Sequence, residues 1–163
     1  MATTNLFYNM YNPRLTQYRQ VVDTNHPNNM SFFGMKLGSQ GINVFFSGFQ
    51  WPSALETLSF DGCQLGDNGL TTLCTYLSQS PNTLTLLNLS GNQLSDACIP
   101  LLVATINNTE INHLILKDNP LSQSSLLDAI QNSKPRFEKL LLKTDEGNVL
   151  IEANQDRPLD IRP

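Results

Sequence analysis

Little in this sequence is charged, and few of its residues are of the types that do chemistry. Of 163 residues only 15% are Asp, Glu, Lys or Arg, with two histidines and three cysteines among the rest. No apolar run approaches the roughly eighteen residues of a membrane-spanning helix, so no membrane association is expected. The start, MATTNLFYNMYNPRL, lacks a charged segment followed by an apolar stretch, and a conventional export signal is not expected either. Basic charge is also scarce: the formal net charge is −4, which disfavours affinity for nucleic acid or anionic lipid through bulk electrostatics. Cys63, Cys74 and Cys98 are odd in number and form no C-x-x-C pair. That fits free thiols in a reducing, intracellular setting better than a disulfide scaffold.

Catalytic groups are as sparse. His26 lies in a T-N-H-P-N-N stretch and His113 in a strand-like segment, and neither has a partner nearby in sequence. A metal site needs more ligands at suitable spacing. The G-D-N-G at 66–69 lacks the lysine of a phosphate-cradling loop. No catalytic residue, metal or cofactor is therefore expected, and the chain reads as something other than an enzyme.

What is present is leucine at regular intervals. From Leu55 runs L-E-T-L-S-F-D-G-C-Q-L; from Leu84, L-T-L-L-N-L-S-G-N-Q-L; from Ile111, I-N-H-L-I-L-K-D-N-P-L. All three fit L-x-x-L-x-L-x-x-N/C-x-L, a pattern in which the L-x-L is a strand turning its leucines to one side. Weaker copies flank them: Phe32, Met35, Leu37 and Ile42 before, and Phe137, Leu140 and Leu142 after. The starts at 32, 55, 84, 111 and 137 are spaced by 23, 29, 27 and 26 residues, which leaves room for a helix in each unit. Leu70, Leu73 and Leu77 after Leu65, and Ile99, Leu102 and Ile106 after Leu94, lie on one helical face. Asp67 or Asn68 is a candidate cap for the first helix and Ser95 or Asp96 for the second. Such a unit cannot bury its own apolar side alone, so neighbours must stack, and each buried leucine contributes about 1.5 to 3 kcal/mol. Asn92 and Asn119 suit hydrogen bonding to the turn backbone, with Cys63 a small, buriable substitute.

Through these residues the segment 55–142 resembles the ribonuclease-inhibitor type of leucine-rich repeat, with G-D-N-G-L-T-T-L-C-T-Y-L following L-S-F-D-G-C-Q-L. The resemblance implies an α/β fold: a right-handed leucine-rich-repeat solenoid with a curved parallel sheet on the concave side, helices on the convex side, and both ends capped. It also implies a surface that grips other proteins, and no catalytic residues. In its short length, its few repeats and its richness in asparagine the chain further resembles the leucine-rich-repeat effectors of intracellular bacteria of the Legionella type, which are translocated into the host cell.

The expected organisation is an amino-terminal helical cap over residues 1–31, five repeats over 32–144, a hairpin cap over 145–154 and a loose tail over 155–163. The cap helix is placed at 12–23, where Leu15, Tyr18, Val21 and Val22 follow Pro13 at helical spacing. The hairpin turns at Asp145, Glu146 and Gly147.

Alternation places the residues between the leucines on the open side of the sheet. The central row reads Lys36, Ser59, Asn88, Ile115 and Leu141; the row after it Gly38, Asp61, Ser90, Lys117 and Lys143; the row before it Gly34, Thr57, Leu86, His113 and Lys139. Small and acidic residues come early; aliphatics rimmed by lysine come late. The candidate partner-binding residues are therefore Leu86, Asn88, His113, Ile115, Lys117, Lys139, Leu141 and Lys143, because an apolar centre supplies affinity and a charged edge selects. The plain alternative is that the carboxyl-terminal cap covers Leu141 and the lysines are ordinary solvated residues. The flat face spans only about 300 Å², against about 800 Å² per partner in a stable interface. Loops must join it, and Trp51, before Pro52, is the candidate aromatic anchor; its alternative is burial against the 45–49 segment.

The expected function is capture of another protein, an enzyme to be inhibited or regulated being one such partner, by a chain that is monomeric on its own. The other readings are a lysine patch for nucleic acid or phosphate groups, and a purely structural scaffold.

Overall fold

Three-residue strands need only one inward side chain each, and the sequence supplies it. In the computed structural model, which describes residues 28–47, 53–79, 83–153 and 159–163, the strands Asn29–Ser31 (β1), Thr57–Ser59 (β2), Leu86–Asn88 (β3) and His113–Ile115 (β4) each bury their middle residue. Met30, Leu58, Leu87 and Leu114 thus stand in one line, in parallel register. Strand β5 (Lys139–Thr144) continues the parallel set, and Gly147–Glu152 (β6) and Asp160–Arg162 (β7) add to it antiparallel. Among the described residues the sheet is open, with seven strands in chain order.

Between consecutive parallel strands the chain runs through a helix: Gly38–Phe46 (α1), Gly66–Leu77 (α2), Ile99–Asn107 (α3) and Gln123–Asn132 (α4). Their apolar faces meet the inward sides of the strands, as with Leu70, Leu73 and Leu77 of α2 and Leu102 and Ile106 of α3, all buried. Neighbouring helices pack on one another. None is long and apolar enough to cross a membrane among the described residues. At the β1 end aromatics replace leucine: the Phe32 ring stacks on Phe60 at 4.8 Å and meets Phe45 edge-on at 4.7 Å.

The turns are joined by side chains that reach across units. Asn92, fully buried, donates from Nδ2 to the carbonyls of Phe60 (2.8 Å) and Ser90 (2.9 Å), and its Oδ1 accepts from the Leu65 amide (3.2 Å). Asn119 does the same one unit on, donating to Leu89 and Leu116 carbonyls and accepting from the amides of Asn92 and Leu94. In the earlier unit Cys63 donates from Sγ to the Phe32 carbonyl at 2.8 Å. Buried backbone groups at each turn are thereby paired by the next unit.

Several expectations need correction. The first strand is 29–31, not the segment around Met35: β1 lies five residues earlier and inside the stretch assigned to the amino-terminal cap. In consequence Gly34, Lys36 and Gly38 do not lie in the outward rows; Asn29 and Ser31 do, paired with Thr57 and Ser59. The last unit is displaced by two, since Leu141 pairs with His113 and Lys143 with Ile115. Neither Asp67 nor Asn68 caps α2; the Asn92 side chain takes the Leu65 amide at that end, and Asp67 instead accepts from the amide (2.9 Å) and hydroxyl (2.5 Å) of Ser95. Ser95 caps the 3-10 turn Asp96–Cys98 that leads into α3. The hairpin turn stands at Asp145 and Glu146, but the tail is not loose throughout: β7 pairs with β6, and Leu159 packs on the core. The helix expected at 12–23, together with His26 and Trp51, lies outside the described residues.

Candidate partner-binding face

One side of the sheet is spent on the core and the helices. The other carries, strand by strand, Asn29, Thr57, Leu86, His113, Leu141, Leu150 and Arg162 in one row, and Ser31, Ser59, Asn88, Ile115, Lys143 and Asn148 in the next. Leu86, Ile115, Leu141 and Leu150 are half-buried, while the residues beside them in sequence, Leu87, Leu114, Leu142, Val149 and Ile151, are buried. Nor are the four among the half-buried residues that pack against the core. They form an apolar stripe on the outward side of β3 to β6.

Polar residues frame this stripe differently at its two ends. Towards β1 the rows are Asn, Thr and Ser, and Asn88 is fixed in orientation by accepting from the Ser90 amide (3.0 Å) and hydroxyl (2.7 Å). Towards β7 the Lys139 ammonium pairs with Glu152 at 3.2 Å, and the Arg162 guanidinium with Glu152 at 3.4 Å and with Asp160. Lys117 and Lys143, by contrast, have no counter-ion among the described residues, although Asp145 sits at the same end of the strands. The Asp145 carboxylate instead accepts from the Asp118 amide through both oxygens (2.9 and 3.0 Å).

His113 lies inside the stripe. Its Nε2 is closed off from solvent with no hydrogen-bond partner among the described residues. Burial first, and the Lys143 charge second, hold its imidazole below the ordinary value of 6.5, so near neutral pH the side chain is uncharged and joins the apolar surface.

Elsewhere the molecule offers less. A groove of about 210 Å³ between α2 and α3 is lined by Cys74, Thr75, Leu101, Thr105 and their neighbours. Burial pushes the Cys74 thiol up to about 11 and, with Asp67 nearby, that of Cys98 up to about 12. Burial also carries Cys63 to about 12. These thiols stay protonated and unreactive. Among the described residues no group of three His, Cys, Asp or Glu side chains is placed to hold a metal ion.

Of the residues expected on the binding face, Leu86, Asn88, His113, Ile115, Leu141 and Lys143 stand together on adjacent strands, and Lys117 lies two residues beyond Ile115 at its edge. Lys139 is on β5 but committed to its ion pair. Leu150 and Arg162 were missed. Carrying the hairpin's alternation through from its turn would have found Leu150, because Leu141 and Leu150 are paired; nothing in the sequence marks Arg162.

No family model matches the chain. Over 87 residues, 53% of its length, it is 32% identical to telomerase component p95 of Tetrahymena thermophila, and the match covers 10% of that protein.

Proposed function

We propose that the chain is a leucine-rich-repeat solenoid of the ribonuclease-inhibitor type that works as a protein-binding module, its partner lying on the open face of the sheet. The repeated strand, turn and helix with an asparagine ladder supports the architecture. The observation that carries the function is the half-buried stripe of Leu86, Ile115, Leu141 and Leu150, outside the core and bordered by Lys117 and Lys143, which have no counter-ion among the described residues. An apolar centre with a polar rim is the anatomy of a protein contact. Similarity to part of a protein named as a telomerase component sits with this reading, since a component works in an assembly. Three buried, unpaired thiols accord with work in a reducing compartment. Where the partner is an enzyme, covering its active site makes the module an inhibitor.

The test begins with affinity capture and mass spectrometry to identify a partner, followed by binding of the two purified proteins. Ile115→Asp with Leu141→Asp should keep the circular dichroism of the parent and weaken capture by at least about tenfold, because a carboxylate in a desolvated contact centre is costly. Full-strength binding by the folded double variant removes this face from consideration. Loss of affinity steep in salt, towards an oligonucleotide and not a protein, would favour the lysine patch as a nucleic-acid site.

A further inference from the structure

We infer that the occupant of this face is an amphipathic helix of another protein, lying across the strands with carboxylates along one flank; the inference rests on the protein-binding reading above. Width is the first argument. Strands β3 and β4, of three residues each, make the face about 10 Å across there, and one α-helix with its side chains is about 10 to 12 Å wide. A single helix fills that part, and over the longer β5 and β6, of six residues each, the apolar row stays one residue wide at the paired Leu141 and Leu150.

Pitch is the second. Leu86, His113, Leu141 and Leu150 are direct cross-strand neighbours, so they recur about every 4.8 Å. Helix side chains at i, i+3 or i+4, and i+7 recur about every 5 to 6 Å along one face. An extended segment presents same-face residues only every 6.6 to 6.8 Å or so and falls out of step. From β3 to β6 the row covers about 14 Å, which roughly ten helical residues span at 1.5 Å each.

Charge supplies the third. Lys139 and Arg162 are neutralised within the chain, whereas Lys117 and Lys143 flank Ile115 with no counter-ion among the described residues. Both stand on the same side of the apolar row. Carboxylates on the matching flank of the helix would pair with them, and a helix with lysines there would meet repulsion. A second copy of this chain is a poorer occupant, because the helices of the described residues turn their apolar faces to their own core.

The probes are stapled peptides of about fourteen residues with leucine at i, i+4, i+7 and i+11. One carries glutamates on the adjacent flank, one lysines, and one is the acidic sequence interrupted by proline. Fluorescence anisotropy with the whole protein should show the acidic helix binding about tenfold or more tighter than the basic one, and tighter than the interrupted one. Amide shifts should be confined to β3 to β6, and Lys117→Glu with Lys143→Glu should reverse the preference while leaving the melting temperature in place. Equal binding of acidic and basic helices, or of the interrupted peptide, overturns the inference; so does self-association by sedimentation that the acidic helix does not dissolve. If those failures occur while Ile115→Asp with Leu141→Asp still abolishes capture of the partner protein, the binding face stands and only its occupant was misidentified. Shifts confined to the α2–α3 groove would remove both.

Discussion

Asn92→Ala should unravel more than its size suggests. The side chain is fully buried and satisfies three backbone groups, the Phe60 carbonyl and Leu65 amide of the preceding unit and the Ser90 carbonyl of its own. Removing it leaves the Phe60 and Ser90 carbonyls with second donors, the amides of Cys63 (3.3 Å) and Gly62 (2.9 Å). The Leu65 amide keeps none among the described residues, and it opens α2. An unsatisfied buried amide costs about 1 to 3 kcal/mol and each lost carbonyl bond about 0.5 to 1.5 kcal/mol, for a total near 3 kcal/mol. At this chain length that is about 6 to 12 °C in melting temperature. Asn92→Cys should recover part of the loss, because Cys63 already holds the equivalent slot one unit earlier and donates to the Phe32 carbonyl. The recovery is incomplete: at that site the Leu37 amide turns to the Met35 carbonyl at 2.6 Å, so the cysteine never has to serve it. Urea unfolding followed by circular dichroism, on wild type and both variants, measures the order. An Asn92→Ala protein within about 0.5 kcal/mol of wild type would refute the ladder as a stabilising element.

Further outcomes follow from the same geometry. Gly91 and Gly34 share a left-handed backbone (φ 63° and 69°), but a Cβ at Gly91 meets the Gly62 Cα at 3.3 Å while one at Gly34 meets nothing within 4 Å; Gly91→Ala should therefore cost about 1 kcal/mol more than Gly34→Ala in the same denaturation assay. The three thiols, buried and with raised pKa values, should resist iodoacetamide at pH 8 in the folded protein and react together on unfolding, as counted by mass spectrometry. Because His113 in the fold sits below 6.5, the unfolded chain takes up that proton first. Its contribution is thus complete above the unfolded pKa and is lost as pH falls below it, and Lys143→Gln should raise the imidazole midpoint read by NMR.

Why the middle units were legible and the ends were not has a physical answer. The segments from 55, 84 and 111 carry every slot of the repeat, and their strands are adjacent and parallel with Leu58, Leu87 and Leu114 in line. In β5 both Leu140 and Leu142 are buried. A shift of two residues leaves the inward set of a strand unchanged, so hydrophobicity does not choose between them; backbone hydrogen bonding does, through the Leu141 amide on the Asn112 carbonyl. At the first unit Phe32, Leu37 and Ile42 are buried as expected, yet β1 is built on Met30, which no leucine pattern marks. All of β7 is exposed. It has no apolar alternation to read, and it is held by backbone pairing, the Arg162 ion pairs and the packing of Leu159 beside it. The outward stripe could be read at Leu86, His113 and Ile115, where the register was right, and at Leu141 despite the shift of two; it stopped short of Leu150, to which the hairpin's alternation was not carried.

Whether the outward side of the sheet is the working surface can be settled by site-specific photocrosslinking. With benzophenylalanine placed singly at positions 115, 141 and 75, the last on the solvent side of α2 beside the α2–α3 groove, a partner captured by the wild-type chain should crosslink from 115 and 141 and not from 75. Adducts from position 75 alone would contradict the account.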